Sequence, residues 1–312
     1  MVLWKRTDVP PQANEAGYRN SLVKQSNGQS VPHSSGTARP EVQVPPDACD
    51  SHLHIIDPRF PVALGVRVAP AATIEDYRLL QSRIGTTRAV IVQAKVHGTD
   101  HGCLLDAIAK LDGKGRGIGV VHPTVADAEL RRLDQGGIRG LRFSVWNPAD
   151  TVTTIEMIEP LARRISDFGW HVQIHMSADQ IVAHAALLER LPCPVVIDHM
   201  ARLPPALGVK HPAFAVVRKL MDKRNTWVKL SGAYLNTEIG PPTYSDASAV
   251  ASNWILSAPD RVVWGSDWPH TTETHHKPDD AMLMDLLAQA APDKNSLSRI
   301  LVTNPARLYG FD

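Results

Sequence analysis

The stretch GWHVQIHMSADQIVAHAALLERLPCPVVIDH (residues 169–199) contains two short apolar runs separated by a segment with helical period. The runs HVQIH (171–175) and PVVIDH (194–199) are rich in β-branched residues, which favours buried strands. Between them, QIVAHAALLERL (180–191) repeats its apolar residues at helical spacing. A strand, a helix and a second strand in this order predict parallel pairing through a right-handed crossover.

The same unit recurs along the rest of the chain. Six further apolar runs fit strands: ACDSHLHII (48–56), RAVIVQ (88–93), GIGVV (117–121), IRGLRF (138–143), TWVKLS (226–231) and RVVWGS (261–266). The segments between them include helical patterns such as IEDYRLLQSRI (74–84) and DAMLMDLLAQA (280–290). Eight strand–helix units in about 265 residues predict an α/β fold, a single (β/α)8 TIM barrel over residues 47–312. A doubly wound open sheet is the alternative, but DSHLHIIDP (50–58) lacks the glycine-rich phosphate turn expected after its first strand.

Composition narrows the possible partners. The chain is 43% hydrophobic and 21% charged, with a net charge of +1 and no sustained basic face, which argues against nucleic acid. No apolar run reaches transmembrane length, and MVLWKRTDVPPQ (1–12) lacks the apolar core of a secretion signal, so we expect no membrane association and a cytoplasmic location. The scattered Cys49, Cys103 and Cys193 are expected to be reduced packing residues.

Residues 1–46 are rich in Pro, Ser, Asn and Gln and have no apolar period, which predicts an extended, irregular N-terminal arm. Packing over the barrel, a subunit contact and mobility all remain open for this arm. We expect the chain to be a monomer or a weak homo-oligomer.

Imidazole and carboxylate groups gather where the predicted strands end, and a TIM barrel places its active site there. His52 and His54 alternate at the end of the first run, and Asp267 follows the eighth. His175 ends the fifth run, and Asp198 and His199 end the sixth. Neutral imidazoles and a carboxylate suit a divalent ion such as zinc, with His52, His54, His175 and Asp267 as the protein ligands. A metal-free pocket, in which Asp267 alone activates water, is the alternative.

Several segments, in this order, resemble the lactonase subgroup of the amidohydrolase superfamily, whose members open 2-pyrone-4,6-dicarboxylate and 4-sulfomuconolactone. These are DSHLH (50–54), VIVQAKVHG (90–98), GIRGLRFS (137–144), GWHVQIH (169–175), VVIDHMAR (195–202), RVVWGSDWPH (261–270) and NPARLYG (304–310). The resemblance implies a small anionic lactone as substrate, bound through Arg142 and also Arg202. We add Tyr234 and, because they also follow strand ends, His97 and His270 as candidate substrate contacts.

Departures from the family pattern refine this expectation. The pyrone-dicarboxylate lactonases are metal-free and carry tyrosine where this chain has His175, so His175 favours a bound ion. Their additional arginines have no counterpart in VWNPAD (145–150) or GAYLNT (232–237). We therefore expect a muconolactone-type ring, such as 4-sulfomuconolactone, which would yield maleylacetate and sulfite. Asp267 is expected to take a proton from water and His199 to stabilise the oxyanion. A pyrone-dicarboxylate lactonase, a metal-dependent decarboxylase, a lactone isomerase and a non-catalytic binding protein are the alternatives.

Overall fold

A computed structural model describes residues 28–66, 68–147, 151–223 and 226–312. Its eight strands are all parallel, and each pairs with the next in chain order, as the predicted barrel requires. The strands are β1 (Cys49–Leu53), β2 (Arg88–Val92), β3 (Gly115–Gly119), β4 (Ile138–Ser144), β5 (His171–His175), β6 (Val195–Ile197), β7 (Thr226–Leu230) and β8 (Val262–Trp264). The predicted (β/α)8 TIM barrel is confirmed.

The barrel closes between β1 and the segment that follows β8. The backbone N–H of Asp267 donates to the carbonyl of His52 at 2.7 Å, and the N–H of His54 donates to the carbonyl of Trp268 at 2.8 Å. Gly265 lies so close to β1 that a Cβ there would stand 2.5 Å from the Cβ of His52, which requires a residue without a side chain. Closure of the barrel therefore fixes the register between the two histidines of β1 and Asp267.

Helices surround the strands and bury their apolar faces against them. They are α1 (Ile74–Ile84), α2 (Gly102–Ala109), α3 (Asp127–Gln135), α4 (Ile158–Ile165), α5 (Ala178–Ala183), α6 (Ala185–Arg190), α7 (Pro212–Lys223), α8 (Ser245–Ser257), α9 (Asp280–Ala290), α10 (Lys294–Ser298) and α11 (Asn304–Tyr309). Helices α1 and α9 match the predicted segments residue for residue. The helix expected over 180–191 is instead two short helices, because the backbone leaves helical geometry at His184.

The described part of the arm, residues 28–46, contains no helix or named strand and packs on the barrel. Val31 is buried in the core cluster, and the backbone N–H groups of Glu41 and Val42 donate to the carboxylate of Asp285 on α9. Residues 1–27 of the predicted arm lie outside the described residues. Among the described helices, none is both long enough and apolar enough to span a bilayer.

Candidate active site

His52 and His54 point to the same side of the barrel at the end of β1, because alternate residues of a strand share a face. Their ring centroids lie 5.1 Å apart, and both residues are buried. The Nδ1 atom of His54 lies 2.9 Å from the carbonyl oxygen of Val92 at the end of β2. That carbonyl can only accept, so in the neutral ring Nδ1 carries the proton and Nε2 keeps its lone pair.

Asp267 lies opposite these two histidines. Its Oδ1 atom is 3.6 Å from Nε2 of His52 and 3.6 Å from Nε2 of His54. Its Oδ2 atom accepts a 2.7 Å hydrogen bond from the hydroxyl of Tyr234, which follows β7. The backbone of Asp267 has a φ of 64°, a left-handed conformation that costs energy in a residue other than glycine and is concentrated at functional sites.

His199 and His175 complete a cluster of four imidazoles. The ring of His199 lies 4.8 Å from that of His52 and 5.0 Å from that of His175. Hydroxyl groups hold both rings: Ser231 Oγ is 2.9 Å from Nδ1 of His199, and Ser144 Oγ is 3.0 Å from Nδ1 of His175. Four strands, β1, β5, β6 and β8, therefore deliver the predicted side chains to one end of the barrel.

Asp198 is a residue of this site that the sequence analysis noted but gave no role. Its Oδ1 atom lies 3.4 Å from Nδ1 of His52, and its Oδ2 atom accepts hydrogen bonds from Nε of Arg142 at 3.1 Å and from Nε2 of Gln173 at 3.2 Å. A carboxylate behind a metal-ligating histidine fixes the orientation and tautomer of the ring. The signal was its position beside His199 at the end of the sixth run.

Burial sets the protonation states of the cluster. It lowers the pKa of His52 and of His175 well below the ordinary value, and it also lowers the pKa of His199, so these imidazoles are neutral at pH 7. Burial alone would raise the pKa of Asp267, but the facing rings of His199 and His54 outweigh it and hold that pKa well below its usual range. The site therefore presents the ionised carboxylate of Asp267 beside the neutral imidazoles of His52, His175 and His199.

The pKa of Tyr234 is well above its usual value, because the hydroxyl is buried and faces the carboxylate of Asp267. Tyr234 therefore keeps its proton and donates it in the 2.7 Å hydrogen bond. This contact places Tyr234 beside Asp267, and its contact with a substrate stays a prediction.

The donor atoms fit a divalent ion. His52, His54 and Asp267 each offer one ligand atom, all within 4.8 Å of one another, and so do His52, Asp198 and His199. Two ligands at about 2.1 Å from a tetrahedral zinc ion stand about 3.4 Å apart, close to the 3.6 Å that separates Asp267 Oδ1 from each histidine. His175 lies outside both groups, although its buried Nε2 has no hydrogen-bond partner in the described part of the chain.

Arg142 and Arg202, the predicted anion-binding residues, both lie next to this cluster. Arg142 uses its Nε for the ion pair with Asp198, and its side chain is only 13% exposed. The guanidinium of Arg202 lies over the ring of Trp146, 4.7 Å from its centroid, and its Nη1 is 3.4 Å from the carbonyl oxygen of Leu235. Trp146 in turn stacks on His175, which places Arg202 above the cluster.

His97 and His270, the other predicted substrate contacts, bond to protein groups. Nδ1 of His97 lies 2.8 Å from the carbonyl oxygen of Pro61, and Nε2 of His270 lies 3.1 Å from a carboxylate oxygen of Asp280. Both side chains are buried. His270 still touches the site, since its ring packs edge-on against Tyr234 at 5.1 Å.

Comparison with known proteins agrees with this geometry. Residues 49–311 match the family model described as amidohydrolase. The chain is 34% identical to 2-pyrone-4,6-dicarboxylate hydrolase of Comamonas testosteroni, over 87% of this chain and 93% of that protein. It is 35% identical to 4-sulfomuconolactone hydrolase of Rhizobium radiobacter, over 86% of this chain and 91% of that protein. The apo crystal structure of an Agrobacterium tumefaciens protein superposes with a TM-score of 0.83 at 26% identity, over 90% of this chain and 99% of that one. The chain belongs to the amidohydrolase family.

Proposed function

We propose that this protein hydrolyses a lactone that carries an anionic group, at the cluster formed by His52, His54, His199 and Asp267. The observation that carries the proposal is the ionised carboxylate of Asp267, whose Oδ1 lies 3.6 Å from two imidazole nitrogens at the mouth of the barrel. Two relatives at 34% and 35% identity bear the names of lactone hydrolases, which supports the same class of reaction here.

The residues present account for each proton in such a hydrolysis. Asp267 accepts a proton from the water whose oxygen adds to the lactone carbonyl. When Ser231 donates to Nδ1 of His199, Nε2 of that ring carries the proton and donates to the oxyanion. The bond between the carbonyl carbon and the ring oxygen then breaks, and Asp267 returns the proton to the leaving oxygen.

His52, His54 and Asp267 would hold a divalent ion, with His175 as a further ligand and zinc as our choice of metal. Such an ion supplies Lewis acidity and lowers the pKa of a nearby water towards about 7. Asp198, acting on Nδ1 of His52, keeps that ring turned towards Asp267.

A muconolactone-type ring suits the charges around the site. Arg202 lies above the cluster on the face of Trp146, and Arg142 stands beside Asp198 with its Nε already engaged. Arg202 has no carboxylate partner in the described part of the chain, and one unpaired guanidinium fits one carboxylate or sulfonate better than the two carboxylates of a pyrone dicarboxylate. We therefore assign 4-sulfomuconolactone as the first substrate to test; its ring-opened product expels sulfite and leaves maleylacetate.

The test is turnover of a lactone panel by purified protein whose metal content has been measured. The panel holds 4-sulfomuconolactone, a carboxylated muconolactone, 2-pyrone-4,6-dicarboxylate and an uncharged lactone of similar size, each in water enriched in oxygen-18. Hydrolysis predicts one oxygen-18 atom in the new carboxylate, and sulfite in step with loss of the sulfonated ring. Chelation should abolish turnover, and zinc should restore it.

Other reactions leave different products from the same experiment. A decarboxylase releases carbon dioxide without incorporating oxygen from water. A lactone isomerase returns a product of unchanged mass with no oxygen-18. Either pattern, or binding of the panel without turnover, would replace hydrolysis as the function of this site.

A further inference from the structure

We propose that part of the N-terminal arm, residues 31–36, positions the reacting carboxylate by clamping the loop that carries it. We call residues 265–270, which include Asp267, the Asp267 loop. The inference rests on the proposed function for the role of Asp267, while the clamp itself is a property of the fold. The match to the family model begins at residue 49, so this arm segment lies outside the region shared with that model.

The first contact of the clamp is direct. Trp268, the residue after Asp267, is fully buried, and its indole N–H donates to the carbonyl oxygen of Pro32 at 2.8 Å. The ring of His33 packs edge-on against the indole at 5.6 Å, and its Nε2 lies 2.6 Å from the carbonyl oxygen of Ala71. The arm thus contacts both the indole N–H and the indole ring of Trp268, the residue next to the reacting carboxylate.

The second contact passes through Ser34. Its hydroxyl donates to Oδ2 of Asp280 at 2.5 Å and accepts from Nη2 of Arg83 at 2.5 Å. The same Oδ2 atom of Asp280 lies 3.1 Å from Nε2 of His270, the last residue of the Asp267 loop. Ser34, Arg83, Asp280 and His270 are all buried, so water cannot replace the hydroxyl without a rearrangement.

A continuous chain of contacts therefore joins the arm to the reacting group. Ser34 holds Asp280, Asp280 holds His270, and the ring of His270 packs edge-on against Tyr234 at 5.1 Å. The hydroxyl of Tyr234 donates to Asp267 at 2.7 Å. Two residues of the Asp267 loop are strained, with a φ of 64° at Asp267 and 55° at His270, and such conformations persist only where surrounding contacts hold them.

Ser34 is thus a positioning residue, because it reaches the substrate only through other side chains. Removing its hydroxyl leaves the buried guanidinium of Arg83 and the buried carboxylate of Asp280 with one partner fewer each. We expect the loop to sample orientations in which Asp267 no longer faces His52 and His54, at little cost to substrate affinity, because Arg202 lies elsewhere on the rim.

The test compares Ser34→Ala with Ser35→Ala in the full-length protein. Ser35 is the matched control, since its side chain is exposed and its backbone N–H, which the substitution keeps, donates to the carbonyl of Pro278. Amide hydrogen exchange of peptides covering residues 262–276 is the primary readout. Ser34→Ala should exchange there on the order of tenfold faster than wild type, which corresponds to one lost hydrogen bond, while Ser35→Ala and the peptides of β4 should not change.

Steady-state kinetics with the best lactone provide the second readout. Ser34→Ala should lower kcat on the order of tenfold with KM within about twofold of wild type, whereas Ser35→Ala keeps both. If Ser34→Ala does not fold, Trp268→Phe takes its place, because it lacks the indole N–H that bonds to Pro32. Unchanged exchange in Ser34→Ala, or in Trp268→Phe where that variant replaces it, would overturn the clamp even if no lactone is turned over. Faster exchange with unchanged kcat on a hydrolysed lactone would overturn the positioning role while leaving the proposed function standing.

Discussion

Replacing Lys229 with methionine should change how the free energy of unfolding depends on pH. Lys229 lies on β7 with its side chain fully buried, and its ammonium donates to the carbonyl oxygen of Ser51 at 2.7 Å. Burial lowers its pKa from 10.5 to about 8, although the carboxylate of Asp198 opposes the change. The unfolded chain exposes this lysine to water and restores the ordinary value.

The direction and the size of this pH effect follow from the pKa of Lys229 in the folded protein, about 8, and in the unfolded chain, 10.5. Below pH 8 both states carry the proton, and the wild type bears the full cost of the buried charge. Between pH 8 and 10.5 the folded protein releases the proton while the unfolded chain keeps it, so the Lys229 contribution becomes more favourable to folding as pH rises. At about 1.36 kcal/mol per pH unit, the gap between about 8 and 10.5 amounts to about 3 kcal/mol.

The assay is denaturant unfolding of wild type and Lys229→Met at pH 7, 8, 9 and 10, with the difference in unfolding free energy taken at each pH. Titrating groups that do not interact with Lys229 cancel in that difference, and the lost bond to Ser51 adds an offset that does not change with pH. The stability of wild type relative to the variant should rise by about 2 to 3 kcal/mol across this range. The exposed Lys219→Met serves as control and should give a constant difference. A constant difference for Lys229→Met as well would refute the argument.

Three further substitutions probe the site. Tyr234→Phe removes the hydroxyl that bonds Asp267, so kcat should fall about tenfold with KM nearly unchanged, since hydrogen bonds to charged groups contribute about 1.5 to 3 kcal/mol; an unaltered kcat in steady-state kinetics would contradict this role. Arg202→Lys loses the planar fork that rests on Trp146, so KM should rise about tenfold for an anionic lactone and not for the uncharged one; equal changes for both would exclude Arg202 as the anion site. His54→Gln should reduce the amount of bound zinc, measured by elemental analysis. The control His97→Gln replaces a ring that bonds to Pro61 and should keep the metal. Equal metal content in the two variants would show that His54 is not a ligand.

The strands and several helices could be predicted because hydrophobic period and burial agree in them. HVQIH (171–175) coincides with β5, and the segments over 74–84 and 280–290 coincide with α1 and α9. The chain positions of His52, His54 and Asp267 also followed from the strand ends, since closure of the barrel brings the first and last strands together.

The sequence places Asp198 beside His199 but does not show that both side chains face His52, because adjacent residues of an extended strand point to opposite faces. The backbone leaves the extended conformation after Asp198, and His199 has a φ of 47°. Both side chains consequently reach His52. A left-handed turn of this kind does not change the spacing of the apolar residues, so the sequence pattern does not predict it.

The side-chain contacts of the arm and of His270 could not be predicted either, because the sequence pattern does not show which distant residues meet. The composition of residues 28–46 indicates irregular backbone, but polar composition does not reveal that Ser34 is buried between Arg83 and Asp280. Likewise, the position of His270 after β8 suggested the barrel mouth, whereas its positive φ and the carboxylate of Asp280 hold its ring beside Tyr234.

Turnover by Asp267→Asn decides whether this carboxylate performs the proposed hydrolysis. The amide keeps the size of the side chain and removes its ability to accept a proton from water. With the preferred lactone at saturating concentration and bound zinc measured in parallel, kcat should fall by about 100-fold to 10,000-fold, the range for loss of a general acid–base residue. Turnover within a few-fold of wild type, in a variant of known metal content, would contradict the account.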